Sequence, residues 1–143
     1  MSLLFDVIHG DEDVSLDEAM TSQAETCASL GSPLSHDLLV ALRDASAPGG
    51  ALADVMADRQ TVRGGDLIPL RLLAAAHRLV LSRHAPGLAI YYPTVGGTAP
   101  TDDAGRAALG AAVVEAFLAN PDVVTASLSR IPQTNETGRA LPL

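Results

Sequence analysis

Three clusters hold the side chains best suited to chemistry. The first is basic: residues 67 to 101 contain no carboxylate, yet carry Arg71, Arg78 and Arg83 with His77 and His84 among them. Arg71, Arg78 and Ser82 fall on one side of a helix, so the two guanidinium groups can face an anionic ligand or the acidic amino-terminal part of the chain. The bland alternative is a solvated face of segregated charge. The second cluster is Tyr91-Tyr92-Pro93, half the chain's aromatic rings, followed by Gly96-Gly97. One ring can pack in the core while the other covers a loop, or a phenol can reach a ligand; the double glycine permits positive φ or close backbone approach. The third is Gln133-Thr134-Asn135-Glu136-Thr137-Gly138-Arg139, whose amides, hydroxyls, carboxylate and guanidinium can hydrogen-bond a polar ligand or cap neighbouring helix ends.

Other chemistries are argued away or left open by spacing and type. His77 lies among Leu70, Leu73, Val80 and Leu81, which reads as a core imidazole; the alternative is a general base. His84 is seven residues further on, about 10 Å along a helix, too far to share a metal with His77. No metal site is expected. Cys27 falls on an apolar stripe and reads as a buried thiol, not a nucleophile. All nine basic residues are arginine, which removes lysine Schiff-base chemistry and the lysine-dependent phosphate loop. Gly96-Gly97 matches neither a phosphate loop nor a dinucleotide fingerprint.

The elements that must position these groups read as helices throughout. Ser15 and Glu18 have capping-box spacing, and Leu16, Met20, Gln23, Cys27 and Leu30 follow as one stripe that Gly31 can stop. Ser32-Pro33 opens a second helix carrying Leu34, Leu38, Ala41, Leu42 and Ala45. A short helix is expected over 51–60, then a strong one from Pro69 to about Arg83, ended by Ala85-Pro86-Gly87. Leu88 to Tyr92 has room for one further turn. Thr101 as N-cap begins a long helix to Ala119, with Leu109, Val113, Val114, Phe117 and Leu118 buried and Ala104, Gly105, Ala108, Ala111 and Ala112 on a small-residue flank. Asn120-Pro121 starts a last helix to about Arg130. No run alternates as a half-buried strand does. The expected class is all-α, a bundle of six to seven helices without significant β-sheet, preceded by a flexible acidic segment over residues 1–13 and forming one domain over 14–143.

Composition bounds the rest. The chain has 143 residues, 48% hydrophobic and 18% charged, enough for one self-sufficient core. The formal charge of −8 resides wholly in residues 1–42, which hold eight acids and no arginine. An acidic chain with scattered arginines lacks the charge density that nucleic acid requires. The longest apolar run, Ala107 to Leu118, is too short for a bilayer span, so no membrane role is expected. One cysteine and no leader pattern fit a reducing cytoplasm.

The stretch Pro69-Leu70-Arg71-Leu72-Leu73-Ala74-Ala75-Ala76-His77-Arg78-Leu79-Val80-Leu81, continuing through Ala85-Pro86 to Tyr91-Tyr92-Pro93-Thr94-Val95-Gly96-Gly97, resembles the bacterial family called domain of unknown function 2332. So does Pro132-Gln133-Thr134-Asn135-Glu136-Thr137-Gly138-Arg139. The resemblance covers most of residues 20–140. It implies a longer architecture in which a Rossmann-type domain similar to S-adenosylmethionine-dependent methyltransferases follows the Gln-Thr-Asn-Glu motif; this sequence ends four residues after Arg139. No cofactor is therefore expected in this chain, S-adenosylmethionine being conceivable only with the other half. The leading expectation is a non-catalytic helical module that walls or lids a substrate site for that domain. Its polar lining would be Arg71, Arg78, Tyr91, Tyr92, Gly96, Gly97, Gln133, Thr134, Asn135, Glu136 and Arg139, facing a polar or anionic small molecule. The alternatives are a homo-oligomeric or partner-docking helical protein and a small stand-alone enzyme using Glu136 or His77 as general base.

Overall fold

A computed structural model describes residues 12–129. In chain order these form β1 (Asp13–Ser15), α1 (Leu16–Ser29), α2 (Pro33–Ser46), a 3-10 turn (Ala57–Arg59), β2 (Thr61–Arg63), a second 3-10 turn (Gly64–Asp66), α3 (Ile68–Leu81), α4 (Pro86–Ala89), a third 3-10 turn (Pro93–Val95), α5 (Asp103–Ala119) and α6 (Pro121–Ser129). The architecture is all-α, as expected, with one small addition. β1 and β2 pair antiparallel over three residues each, with Val14 opposite Val62, both buried. Three-residue strands are too short for alternation to register, which is why the sequence pattern missed them. Asp13, expected in a flexible lead-in, begins β1; the rest of that lead-in, residues 1–11, lies outside the described residues.

The caps explain where the helices start and stop. The Ser15 hydroxyl accepts from the Glu18 N–H at 3.0 Å. At the other end of α1, Gly31 takes φ +86; its N–H donates to the Ala28 carbonyl and the Ser32 N–H to that of Cys27, the Schellman arrangement. Leu30, expected in the stripe, is the cap residue and is 75% exposed. Pro33 opens α2 at its first position, but the Ser32 hydroxyl bonds the Ser35 side chain instead of capping the helix. The Asp102 carboxylate, one residue past the expected Thr101, caps α5 by accepting from the Gly105 N–H at 2.7 Å. Residues 51–60 form turns and a 3-10 segment instead of a helix, and still bury Leu52 and Met56.

One apolar cluster runs from Val14 to Leu128. Its principal packings pair α1 with α2, α2 with α5, and α3 with α6. α5 buries Leu109, Val113, Ala116 and Phe117, while Val114 is half-buried and Leu118 half exposed. A Cβ placed at Gly110 would meet the Ala41 Cβ at 3.1 Å, so the absent side chain lets α5 approach α2 closely.

The phase of α3 differs from the expected one. Its core stripe is Leu72, Ala75, Ala76, Leu79 and Val80; Leu70 and Leu81 face outward, Leu73 is half-buried and Arg71 is only 7% exposed. Apolar residues surround most of this helix, so two registers satisfy a 3.6 period, and alanines permit the closer approach of neighbouring helices that selects between them. The consequence is functional: Arg71 sits at the boundary of the core, and its neighbours one and two turns on face a groove.

Candidate functional site

α3 and its cap residue Ser82 line a groove with Ala74, His77, Arg78 and Leu81 and, at its buried edge, Arg71. Against them α6 brings Ser127, and the groove encloses about 450 Å³. The local sequence builds its near end. Leu67 occupies the left-handed region at φ 57 and ψ 39, a conformation that costs a non-glycine residue roughly 1 kcal/mol. That turn joins the Gly64–Asp66 segment to α3 with the Leu67 carbonyl accepting from the Arg71 N–H at 3.0 Å. It also brings the Asp66 carbonyl to the Arg71 side chain, whose Nε donates to it at 2.8 Å. A nearly buried guanidinium is thereby fixed in orientation, and Arg78 stands exposed two turns further along the same face.

His77 joins this groove to the Tyr-Tyr-Pro loop. It is half-buried, not a core residue as expected, and its ring stands 5.8 Å from that of Tyr92 at an interplanar angle of 36°. Tyr92 is 5% exposed, and burial pushes its phenol up to about 12, so it is neutral across the physiological range. The structure thus brings Arg71, Arg78 and the second tyrosine together around His77; Tyr91 is half-buried. At the far end the Ser82 hydroxyl and the His84 Nδ1 are 2.7 Å apart, and across the groove Ser127 Oγ donates to the Val123 carbonyl at 2.9 Å.

The double glycine stands apart from this groove. Gly96 and Gly97 line a separate shallow hollow of about 350 Å³ with Ala89, Ile90, Val95 and Thr98. Their role there is structural. Gly96 has φ +86, and a Cβ at Gly97 would fall 2.5 Å from the Ile90 carbonyl oxygen and 2.6 Å from that of Ala89. The chain folds back here, the Thr98 N–H donating to the Ile90 carbonyl at 2.9 Å. Gln133, Thr134, Asn135, Glu136 and Arg139 lie outside the described residues.

Among the described residues the groove has two arginines, an imidazole, a largely apolar floor and no carboxylate in its lining. Such a surface is suited to a ligand with one anionic group and an apolar body: guanidinium groups offer forked donors to oxyanions, and Ala74 and Leu81 give the rest a place to shed water. Among the described residues no three His, Cys, Asp or Glu side chains cluster to hold a metal, and Cys27 is buried with Gln23 Nε2 3.7 Å from its sulfur. Three lining residues escaped the sequence reading. Ala74 and Leu81 were legible as the helical neighbours of Arg71 and Arg78 once α3 takes its actual phase; Ser127 carries no sequence signal.

Over residues 17–143 the chain matches the family described as "Uncharacterized protein conserved in bacteria (DUF2332)", and it belongs to that family. No curated protein matches it, and no solved structure does. Among the described residues no single helix is long and apolar enough to cross a membrane.

Proposed function

We propose that this helical module is the wall of a binding site for a small anionic ligand, with the α3/α6 groove as the contact surface and Arg71 and Arg78 as the anion-recognising groups. The observation that carries the reading is one guanidinium pre-oriented by a backbone carbonyl and a second at the rim of a groove whose described lining is otherwise mostly apolar. Pre-orientation matters because a guanidinium already held in place loses less side-chain freedom on binding. The Gln133-to-Arg139 motif follows α6, whose Ser127 lines the groove, closely in sequence. On the family resemblance, the opposite wall is the methyltransferase-like domain of longer relatives, with this module providing the substrate side and no cofactor contact of its own.

Octanoate is a suitable probe, because it combines a carboxylate for the arginines with a chain for Ala74 and Leu81. Calorimetric titration into the full chain is expected to show one saturable site. Loss of a charge-assisted hydrogen bond is worth about 1.5–3 kcal/mol, so Arg78→Ala weakens octanoate about 10- to 100-fold. Octanol, lacking the charge, binds much more weakly. Equal affinity of octanoate and octanol, or of wild type and Arg78→Ala, overturns the reading.

A further inference from the structure

The carboxyl end of α3 brings a hydroxyl and an imidazole into contact at the mouth of the groove. Ser82 Oγ and His84 Nδ1 are 2.7 Å apart, whereas the other acceptor within reach of that hydroxyl, the Leu79 carbonyl, is 3.4 Å away. The shorter contact is the stronger one, so with the ring proton on Nε2 the Ser82 hydroxyl donates to Nδ1. The backbone arranges this meeting. Arg83 turns into the left-handed region at φ 64, its N–H donating to the Val80 carbonyl and the His84 N–H to that of Leu79. The end of α1 is built the same way, with Gly31 in the left-handed position. The reversal at Arg83 carries His84 back against the last turn of α3, where Ser82 stands.

Both side chains are exposed, so a reactant can reach them, and Ser82 also lines the groove with Ala74, Arg78 and Leu81. A hydroxyl hydrogen-bonded to an imidazole nitrogen is the pairing that activates serine as a nucleophile. Arg78 lies one helical turn before Ser82 on the same lining, within reach of charge that develops on an acyl oxygen there. Leu81, 56% exposed, and Ala74 extend from Ser82 as apolar ground for an acyl chain.

We propose that Ser82 and His84 form a nucleophile–base dyad that takes the acyl group from an ester with an aliphatic chain. The Ser82 oxygen forms a bond to the ester carbonyl carbon while its proton passes to His84 Nδ1, and the Arg78 guanidinium faces the resulting oxyanion. Collapse of the tetrahedral adduct breaks the bond to the leaving alcohol, which departs with the proton held on Nδ1 and leaves an acyl-Ser82. Water then adds to the acyl carbon and gives one proton to Nδ1. That proton returns to the Ser82 oxygen as it leaves, and a carboxylic acid is released, which ionises to the anion the groove is suited to hold. The substrate class rests on the anion-binding reading above; the dyad rests on its own geometry.

p-Nitrophenyl octanoate added to the full chain tests this. A stoichiometric burst of nitrophenolate is expected, with the octanoyl group found on Ser82 by peptide mass spectrometry. Ser82→Ala abolishes both, His84→Ala slows the burst by about 10²- to 10⁴-fold, and Ser82→Cys restores acylation at the same position as a thioester. Unchanged thermal midpoints in these variants show that the fold is intact. The octanoyl ester reacts about tenfold faster than the acetyl ester, the worth of roughly two buried methylenes, and equal rates overturn the acyl-chain assignment. Nitrophenolate release that survives Ser82→Ala, octanoyl groups carried only on other residues, no burst at all, or a burst unchanged by His84→Ala overturns the dyad. The two readings fail separately: saturable octanoate binding without acylation removes the dyad and leaves the anion-binding wall, whereas acylation of Ser82 without a saturable octanoate site removes the wall and leaves the dyad.

Discussion

Two concavities of similar size lie on this molecule, and they are made differently. The α3/α6 groove, about 450 Å³, sets Arg71, His77 and Arg78 over Ala74 and Leu81. The hollow between α2 and α5, about 500 Å³, is walled by Ala41, Ala45, Ala107, Gly110 and Ala111, with Val114, Leu118 and Glu115 at its margin. Volume therefore distinguishes nothing. In the second hollow the small side chains are explained by helix packing, since Gly110 is what lets α5 approach Ala41. In the first, packing does not ask for a nearly buried arginine tied to a backbone carbonyl. A polar group held at the edge of a core where an apolar one would pack is the feature on which the proposed anion recognition rests.

The largest effect that could break this contrast concerns α3 itself. Leu72→Ala, on the core side, is expected to lower stability by about 2–5 kcal/mol, whereas Leu81→Ala, on the groove side, changes it by less than about 0.5 kcal/mol. Denaturant titration of the two variants checks this, and equal losses would mean that α3 has no free face. Next comes Tyr92, which ties the groove to the loop. Its phenol is raised from 10.0 to about 12 by burial, so the unfolded chain ionises first as pH rises. Stability contributed by the neutral phenol is complete below pH 10 and is lost between pH 10 and about 12, by about 2–3 kcal/mol at the upper end. Tyr92→Phe should flatten that decline in chemical denaturation at alkaline pH.

On the packing side, Gly110→Val is expected to cost about 1–3 kcal/mol by overfilling the contact with Ala41, without altering octanoate affinity. A change in affinity with unchanged stability would reverse the roles assigned to the two concavities. The smallest expected effect is a gain. Arg83 holds φ 64 at the position after the α3 cap, donating its N–H to the Val80 carbonyl, a site that favours glycine. Arg83→Gly should stabilise the fold by about 0.5–1 kcal/mol, visible as a raised thermal midpoint.

The helical class and most helix boundaries were legible in the sequence because capping residues act locally: Ser15, Gly31, Pro33 and Pro121 each set a terminus through their own backbone chemistry. The phase of α3 was not, because Leu70, Leu72, Leu73, Leu79, Val80 and Leu81 nearly encircle it, and the approach of α6, α1, α2 and α5 decides which stay dry. For the same reason Arg71 and Arg78 were identifiable as a stripe while the fixing of Arg71 by the Asp66 carbonyl was hidden: it depends on the left-handed turn at Leu67, a residue type that gives no warning of that conformation. The double glycine was correctly marked for close backbone approach, and that requirement accounts for Gly97 without a ligand.

Residue-resolved titration of the uniformly ¹⁵N-labelled full chain with octanoate compares the two concavities in one experiment. Saturable shifts should concentrate on the amides of Arg71, Ala74, His77, Arg78, Ser82 and Ser127, with Ala41, Gly110 and Ala111 unmoved. Shifts centred on the α2/α5 hollow, or no saturable shift along α3, would contradict the assignment of the anion-binding wall.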